Sequence, residues 1–244
     1  MTERIETAGF RRSPAGAAAL TLVGLGLGVW GIVNSPIFGV DRIRVEGAHE
    51  LSVDEVRGLA GVEPGQNLLR LSLDGVVDGV ERNAWVAQAR AERSLPTTLV
   101  IRVRERRAAG WLDDPSGGAV VAEDGVVVER VPGTPRHLPS LGSLSQPLVP
   151  GERLAETPVT LRVASSLGRD LLGAIASVAV VDGELVLELR AGGEVRYGDP
   201  VRLEAKNRAL AEMLAWAEER EVGVEYVDVR IPSAPALRPS TPVG

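Results

Sequence analysis

Cysteine is absent from the 244 residues, which excludes a disulfide framework, a thiolate zinc site, a cysteine-held iron–sulfur cluster and a thiol nucleophile. Aromatic side chains make up only 3%, so Ala, Val and Leu must fill whatever core forms. The chain has two histidines, His49 and His137, and one lysine, Lys206. Basic charge is also in deficit: 27 basic against 33 acidic side chains leave a formal charge of -6. That balance lacks the footprint that nucleic-acid phosphates need, so nucleic acid is not an expected partner. There is no glycine-rich phosphate loop with its lysine and no G-x-S-x-G elbow. At roughly 100 to 200 residues per domain, the length accommodates one large or two small folded units.

The chain opens instead on an apolar run. Residues 15–33 (AGAAALTLVGLGLGVWGIV) carry no charge and are bounded by Pro14 and by Asn34-Ser35-Pro36. As a helix at 1.5 Å per residue this run measures about 28 Å, close to the hydrocarbon thickness of a bilayer. Its glycines would weaken a buried helix of a water-soluble domain, whereas membrane helices tolerate them. A cleaved signal peptide is the main rival, because Arg11-Arg12 precede the run. Asn34-Ser35-Pro36-Ile37-Phe38 nevertheless offers no small-x-small cleavage site. Arg4, Arg11 and Arg12 before the run, against Arg42 and Arg44 beyond it, weakly favour an inner N-terminus. The expectation is a cytoplasmic tail (1–14), a transmembrane helix (15–34) and an extracytoplasmic remainder, anchored in the plasma membrane with the lipid bilayer as a partner.

Beyond the run lie two folded modules. D-R-I-R-V-E-G-A (41–48) alternates with period two, a strand signal. Ser52 with Glu55 forms a capping box for a helix that Gly61 ends. Val76, Val77 and Val80 mark a second helix. Residues 85–94 read as a strand with Trp85, Ala87, Ala89 and Ala91 on one face, and residues 97–104 as another with Leu99, Ile101 and Val103. The result is a β-α-α-β-β module over 38–107 with helices on one side of a three-stranded sheet. From 108 to 232 the signals become short strands and turns with two helices. One starts at Thr157-Pro158, with Thr157 as N-cap, Pro158 in the first turn and Leu161, Ala164, Leu167 and Leu171 on its face, and the other covers about 201–219. Pro132 to Pro150 reads as a long loop, Asp182-Gly183 as a hairpin turn, and Val224 to Ile231 as a strand with Val227 and Val229 opposed to Tyr226 and Asp228. A proline-rich segment (233–244) closes the chain. The fold class is therefore α+β.

Catalytic chemistry is thinly provided. His49 and His137 have no second ligand at metal spacing. Asp113-Asp114 and Glu123-Asp124 could pair carboxylates for acid–base work or calcium, but both sit where turns favour aspartate for its own backbone hydrogen bonds. R-V-R-E-R-R (102–107) is the one basic cluster, read either as a solvated strand end or as an anion site. No catalytic, cofactor-binding or metal-ligating residue is assigned, and the chain is not expected to be an enzyme. A terminal sheet edge is the clearest binding feature, since unpaired backbone groups there accept a partner strand.

The order of these features resembles the FtsQ/DivIB family of bacterial cell-division proteins. The resemblance is carried by I-R-V-E-G-A (43–48), E-V-R-G-L-A-G-V-E-P-G-Q-N-L (55–68), L-P-T-T-L-V-I-R-V-R-E-R (95–106) and Y-V-D-V-R-I-P (226–232). It implies a POTRA-like module followed by a β-rich domain of the FtsQ type. It also implies a non-enzymatic scaffold that binds FtsB-like and FtsL-like membrane proteins and helps control septal peptidoglycan synthesis. Other division proteins would be met through the POTRA-like module, with the chain at the division septum. By the same resemblance the partner edge comprises Ser233, Ala234, Ala236 and Leu237 flanked by Tyr226 and Ile231, with Pro235 inside it removing a donor. The alternative is a POTRA-bearing component of an envelope secretion or assembly system. Charge separates along the chain: residues 41–107 hold 11 basic and 11 acidic side chains, and 108–244 hold 13 and 20. The acidity belongs to the second module.

Overall fold

The computed structural model describes residues 14–133, 135 and 137–240. The expected inner tail, up to residue 13, and the last four residues lie outside that set. Helix α1 covers Pro14–Val33; the side chains of its residues 21–28 and 30–33 are described. Among the described residues, no helix is long and apolar enough to cross a membrane. The C-terminal end of α1 is tied to the loop at residues 67–70. Asn67 Nδ2 donates to the Val33 carbonyl and Arg70 to the Asn34 side chain, both at 2.8 Å.

The first module runs β1 (Arg42–Glu46), α2 (Val53–Ala60), α3 (Leu73–Glu81), β2 (Val86–Ser94) and β3 (Thr98–Glu105), with strand order β1-β3-β2. Its helices start where the sequence caps them. Ser52 Oγ accepts from the Glu55 N–H at 3.2 Å while the Glu55 carboxylate accepts from the Ser52 N–H at 2.8 Å, a closed capping box. Ser72 Oγ caps α3 by accepting from the Gly75 N–H at 3.1 Å, a single bond that glycine cannot return. Gly61 ends α2 in the left-handed region at φ 61°. The two helices can approach because of Gly79, where a Cβ would lie 2.5 Å from the Leu59 carbonyl oxygen. Val56, Leu68, Val80, Leu99 and Ile101 form the core between helices and sheet. A bulge between Val86 and Gln88 breaks the alternation expected for β2, so Val86 and Ala89 are the buried residues and Ala87 is only partly so.

The second module holds β4 (Ala108–Asp114), β5 (Gly117–Ala122), β6 (Val127–Val131), β7 (Ser140–Ser143), α4 (Val159–Ser166), α5 (Arg169–Ala174), β8 (Ile175–Val181), β9 (Glu184–Leu189), β10 (Glu194–Gly198), α6 (Leu203–Glu219), β11 (Val224–Asp228) and β12 (Ala236–Pro239). Its strands make one sheet in the order β12-β11-β10-β9-β8-β7-β4-β5-β6. Helices α4 and α6 cover one face, burying Leu161, Val163, Leu187, Val195, Leu210, Val227 and Val229. The Asp182-Gly183 turn has both residues at positive φ, as a tight hairpin requires.

Three expectations are corrected. The helix expected from Thr157 is two helices, because Leu167 takes an extended conformation ahead of Gly168 and the chain turns. The module therefore carries three helices and not two, and Pro158 rather than Thr157 occupies the N-cap position of the first. The 132–150 stretch is not wholly loop: β7 lies within it, parallel to both β4 and β8. Leu141 of β7 packs where Gly110 has no side chain, since a Cβ there would stand 2.6 Å from Leu141 Cγ.

Candidate partner-binding edge

The strand β12 terminates the nine-stranded sheet, so among the described residues its far side has no neighbouring strand. It pairs antiparallel with β11: Asp228 faces Ala236, Val227 faces Leu237 and Tyr226 faces Arg238. Ser240 N–H donates to the Gly223 carbonyl at 2.9 Å. Backbone groups alternate sides along a strand, so Ala236, Arg238 and Ser240 address β11 while Leu237 and Pro239 address the open side. Proline has no N–H. Within β12 the open edge therefore offers one donor, Leu237 N–H, and two acceptors, the Leu237 and Pro239 carbonyls.

Side chains divide between faces. Leu237 packs against the core beneath. Tyr226, on the other face, stacks under the Arg196 guanidinium at 4.1 Å, and Arg238 pairs with Glu225 at 3.0 Å. Asp228 is held below the usual carboxylate range chiefly by its hydrogen bonds to Arg230. Arg196, Glu225, Asp228 and Arg238 make this a charged face at the end of the sheet.

Of the residues expected at the site, Tyr226, Ala236 and Leu237 lie on the two paired strands. Ile231, Ser233 and Ala234 lie in the turn that joins them, which closes with Ala234 N–H donating to the Ile231 carbonyl at 3.0 Å. Ile231 is exposed there. Pro235 precedes β12 rather than interrupting it. The proline inside the strand is Pro239, and it falls on the side where no ladder bond is lost. Arg196 and Arg238 carry no signal in the sequence; only the strand pairing brings them beside Tyr226 and its neighbour Glu225.

The acidic turns have structural employment. Asp114 accepts from the Arg130 guanidinium at 3.0 and 2.8 Å and from the Leu148 and Ser116 N–H groups, which holds its carboxyl well below the ordinary range. Asp124 takes Arg106 at 3.0 Å. The basic run is equally engaged. Glu105 accepts from the His49, Glu50 and Leu51 N–H groups at 2.9 Å each, and Arg106 donates to the Ala84 and Val86 carbonyls. His49 and His137 line one cleft of about 800 Å³ between the modules. Among the described residues, no group of three or more His, Cys, Asp or Glu side chains is placed to hold a metal ion.

Comparison with known proteins places this architecture. Residues 38–106 match the family described as POTRA domain, FtsQ-type, which takes in the β-α-α-β-β module. A cell division protein FtsQ of Anaeromyxobacter sp. (strain K) is 30% identical over 202 residues, covering 78% of this chain and 68% of the relative. The chain belongs to the FtsQ family of cell-division proteins. Other FtsQ proteins are similar to the same degree. That of Mycolicibacterium smegmatis is 30% identical over 223 residues, covering 91% of this chain and 63% of its own length. That of Mycobacterium leprae is 30% identical over 219 residues, with 89% and 61% covered. The chain thus spans about three fifths of the length of these two FtsQ relatives. The POTRA assignment accounts for only the first module of this FtsQ family member; the second is reached by the longer alignments.

Proposed function

We propose that this protein is a membrane-anchored, non-catalytic scaffold of the bacterial cell-division assembly. It captures an extended segment of an FtsB-like partner, with FtsL alongside, as an added strand on β12, and through that contact influences septal peptidoglycan synthesis. The observation that carries the binding reading is the open edge of β12, whose outward backbone groups have no strand to pair with among the described residues. Strand addition satisfies such groups and reads alternate side chains. With one donor against two acceptors, the edge favours a partner rich in free N–H groups.

The anchoring reading is supported by α1. Its sequence over residues 15–33 is uncharged and apolar, and the structure describes the side chains of 21–28 and 30–33. Leu22, Leu25 and Trp30 are 70%, 68% and 67% exposed. An apolar surface of that kind calls for lipid. The N-terminus is assigned to the cytoplasm and both modules to the outer side of the plasma membrane.

The test is capture of the outer segments of FtsB-like and FtsL-like proteins by the full chain in detergent, compared with a Leu237→Pro variant. Expected is capture by the parent chain and its loss in the variant, with unchanged circular dichroism. Equal capture by both would remove the β12 edge from the mechanism, and no capture by either would remove the partner assignment.

A further inference from the structure

A second open edge lies on the first module, at β1. At the start of β1 the Asp41 and Arg42 N–H groups share the Thr97 carbonyl at 3.0 and 3.3 Å; from Arg42 onward the register with β3 turns Arg42, Arg44 and Glu46 toward β3, and Ile43 and Val45 address the far side. Arg57 agrees with this parity: it reaches from α2 to donate to the Ile43 carbonyl at 3.0 Å, while Asp54 holds it at 3.1 Å. The loop after α2 covers the edge only at its beginning, where Val40 and Gly65 and Gln66 exchange backbone hydrogen bonds. The Ile43 and Val45 N–H groups and the Val45 carbonyl are left facing a groove of about 550 Å³ between β1 and α2, floored by Ile43, Val45, Val53 and Pro64.

The charge beside that edge is one-sided. Registers place Arg42, Arg44 and Glu46 of β1, Arg102 and Arg104 of β3, and Arg90 and Glu92 of β2 on the face away from the helices. Arg102 takes both carboxylates, Glu46 at 2.9 Å and Glu92 at 2.6 Å. Among the described residues, Arg42, Arg44, Arg90 and Arg104 have no acidic partner. A strand laid along β1 would point alternate side chains into the apolar groove and onto this arginine face.

We propose that the β1 edge is a docking site for an extended protein segment of alternating apolar and acidic residues, added as a fourth strand to the sheet order β1-β3-β2. Its N–H and C=O groups pair with Ile43 and Val45, its apolar side chains enter the groove against Val53, and its carboxylates meet Arg42 and Arg44. The site is independent of the β12 edge and lies in a different sheet.

The experiment uses the full chain in phosphatidylcholine nanodiscs and a capped heptapeptide of alternating glutamate and valine, with binding read by fluorescence anisotropy and amide hydrogen exchange. Expected is binding that slows exchange at Ile43 and Val45 and weakens by about tenfold or more when lysine replaces glutamate in the peptide. Val45→Pro deletes an outward donor without touching the ladder to β3 and weakens binding to a similar degree. The Arg42→Glu/Arg44→Glu variant does so through charge alone, and a Leu237→Pro variant leaves it unchanged. Binding indifferent to peptide charge or to Val45→Pro would overturn the proposal. So would a concentration-dependent dimer that protects the same amides, which would make a second copy the occupant. Arginine-dependent binding of phosphatidylglycerol vesicles without peptide binding would assign the face to lipid instead.

Discussion

At the residue scale the single lysine is set apart by its surroundings. Lys206 is fully buried although the chain has 27 basic residues and every other one is arginine. Its ammonium donates to the Tyr197 carbonyl at 2.9 Å, to the Asp199 carbonyl at 2.7 Å and to the Asp199 carboxylate at 2.5 Å. Three acceptors around one point suit a compact ammonium and not a planar guanidinium. Beside it the Tyr197 hydroxyl donates to Asn207 at 2.8 Å, and burial pushes that phenol up to about 12. Lys206→Met removes this donor from two carbonyls and from the Asp199 carboxylate and is expected to lower unfolding stability by about 1 to 3 kcal/mol, measured by urea denaturation. Lys206→Arg should not restore it. Asp114 carries a pH signature. Its folded pKa is depressed below 3.8, so its contribution is complete above that value and is lost as pH falls through the folded pKa. Asp114→Asn is therefore expected to lower Tm at pH 7, with the gap to the parent narrowing as the pH is taken below about 4.

At the element scale, legibility tracks how local the determining signal is. The α2 capping box is readable because Ser52 and Glu55 are three residues apart and satisfy each other without help from the fold. Val227 and Val229 are readable as core because one covered sheet face imposes strict alternation. Strand β7 is not, since only Leu141 of Ser140–Ser143 is buried and the strand exists by pairing between β4 and β8. The α4–α5 break is hidden because the apolar spacing of Leu161, Ala164, Leu167 and Leu171 continues across it. The candidate site is half legible. Tyr226 lies in the terminal motif and Leu237 follows from the family resemblance, but which backbone groups stay open depends on the register with β11. Register also makes Pro239 a guard on the edge. Pro239→Val would supply a second outward donor, and the expected result is self-association at lower protein concentration, measured by sedimentation in detergent. For the capping box, Ser52→Ala should cost about 0.5 to 2 kcal/mol in thermal unfolding.

At the scale of the whole molecule the question is how two cores with few aromatics hold a fixed relation. The joint is built from polar contacts around one bulky side chain. Arg106 donates to Ala84 and Val86 in the first module and pairs with Asp124 in the second at 3.0 Å. Trp85 packs with Leu138 and Trp111 and donates from its indole N–H to Glu129 at 3.3 Å. With α1 tied to the first module through Asn67, this joint decides how far and in which direction the β12 edge stands from α1. Its largest electrostatic element is one guanidinium shared between modules, so its removal should loosen orientation without unfolding either core. The absence of cysteine makes this directly measurable, because two introduced thiols at exposed positions, Arg90→Cys on β2 and Arg208→Cys on α6, would be the only spin-label sites. Arg106→Gln in that background is expected to broaden the distance distribution between the labels while leaving Tm within a few degrees of the parent. An unchanged, narrow distribution would transfer the joint's rigidity to Trp85 and its apolar neighbours.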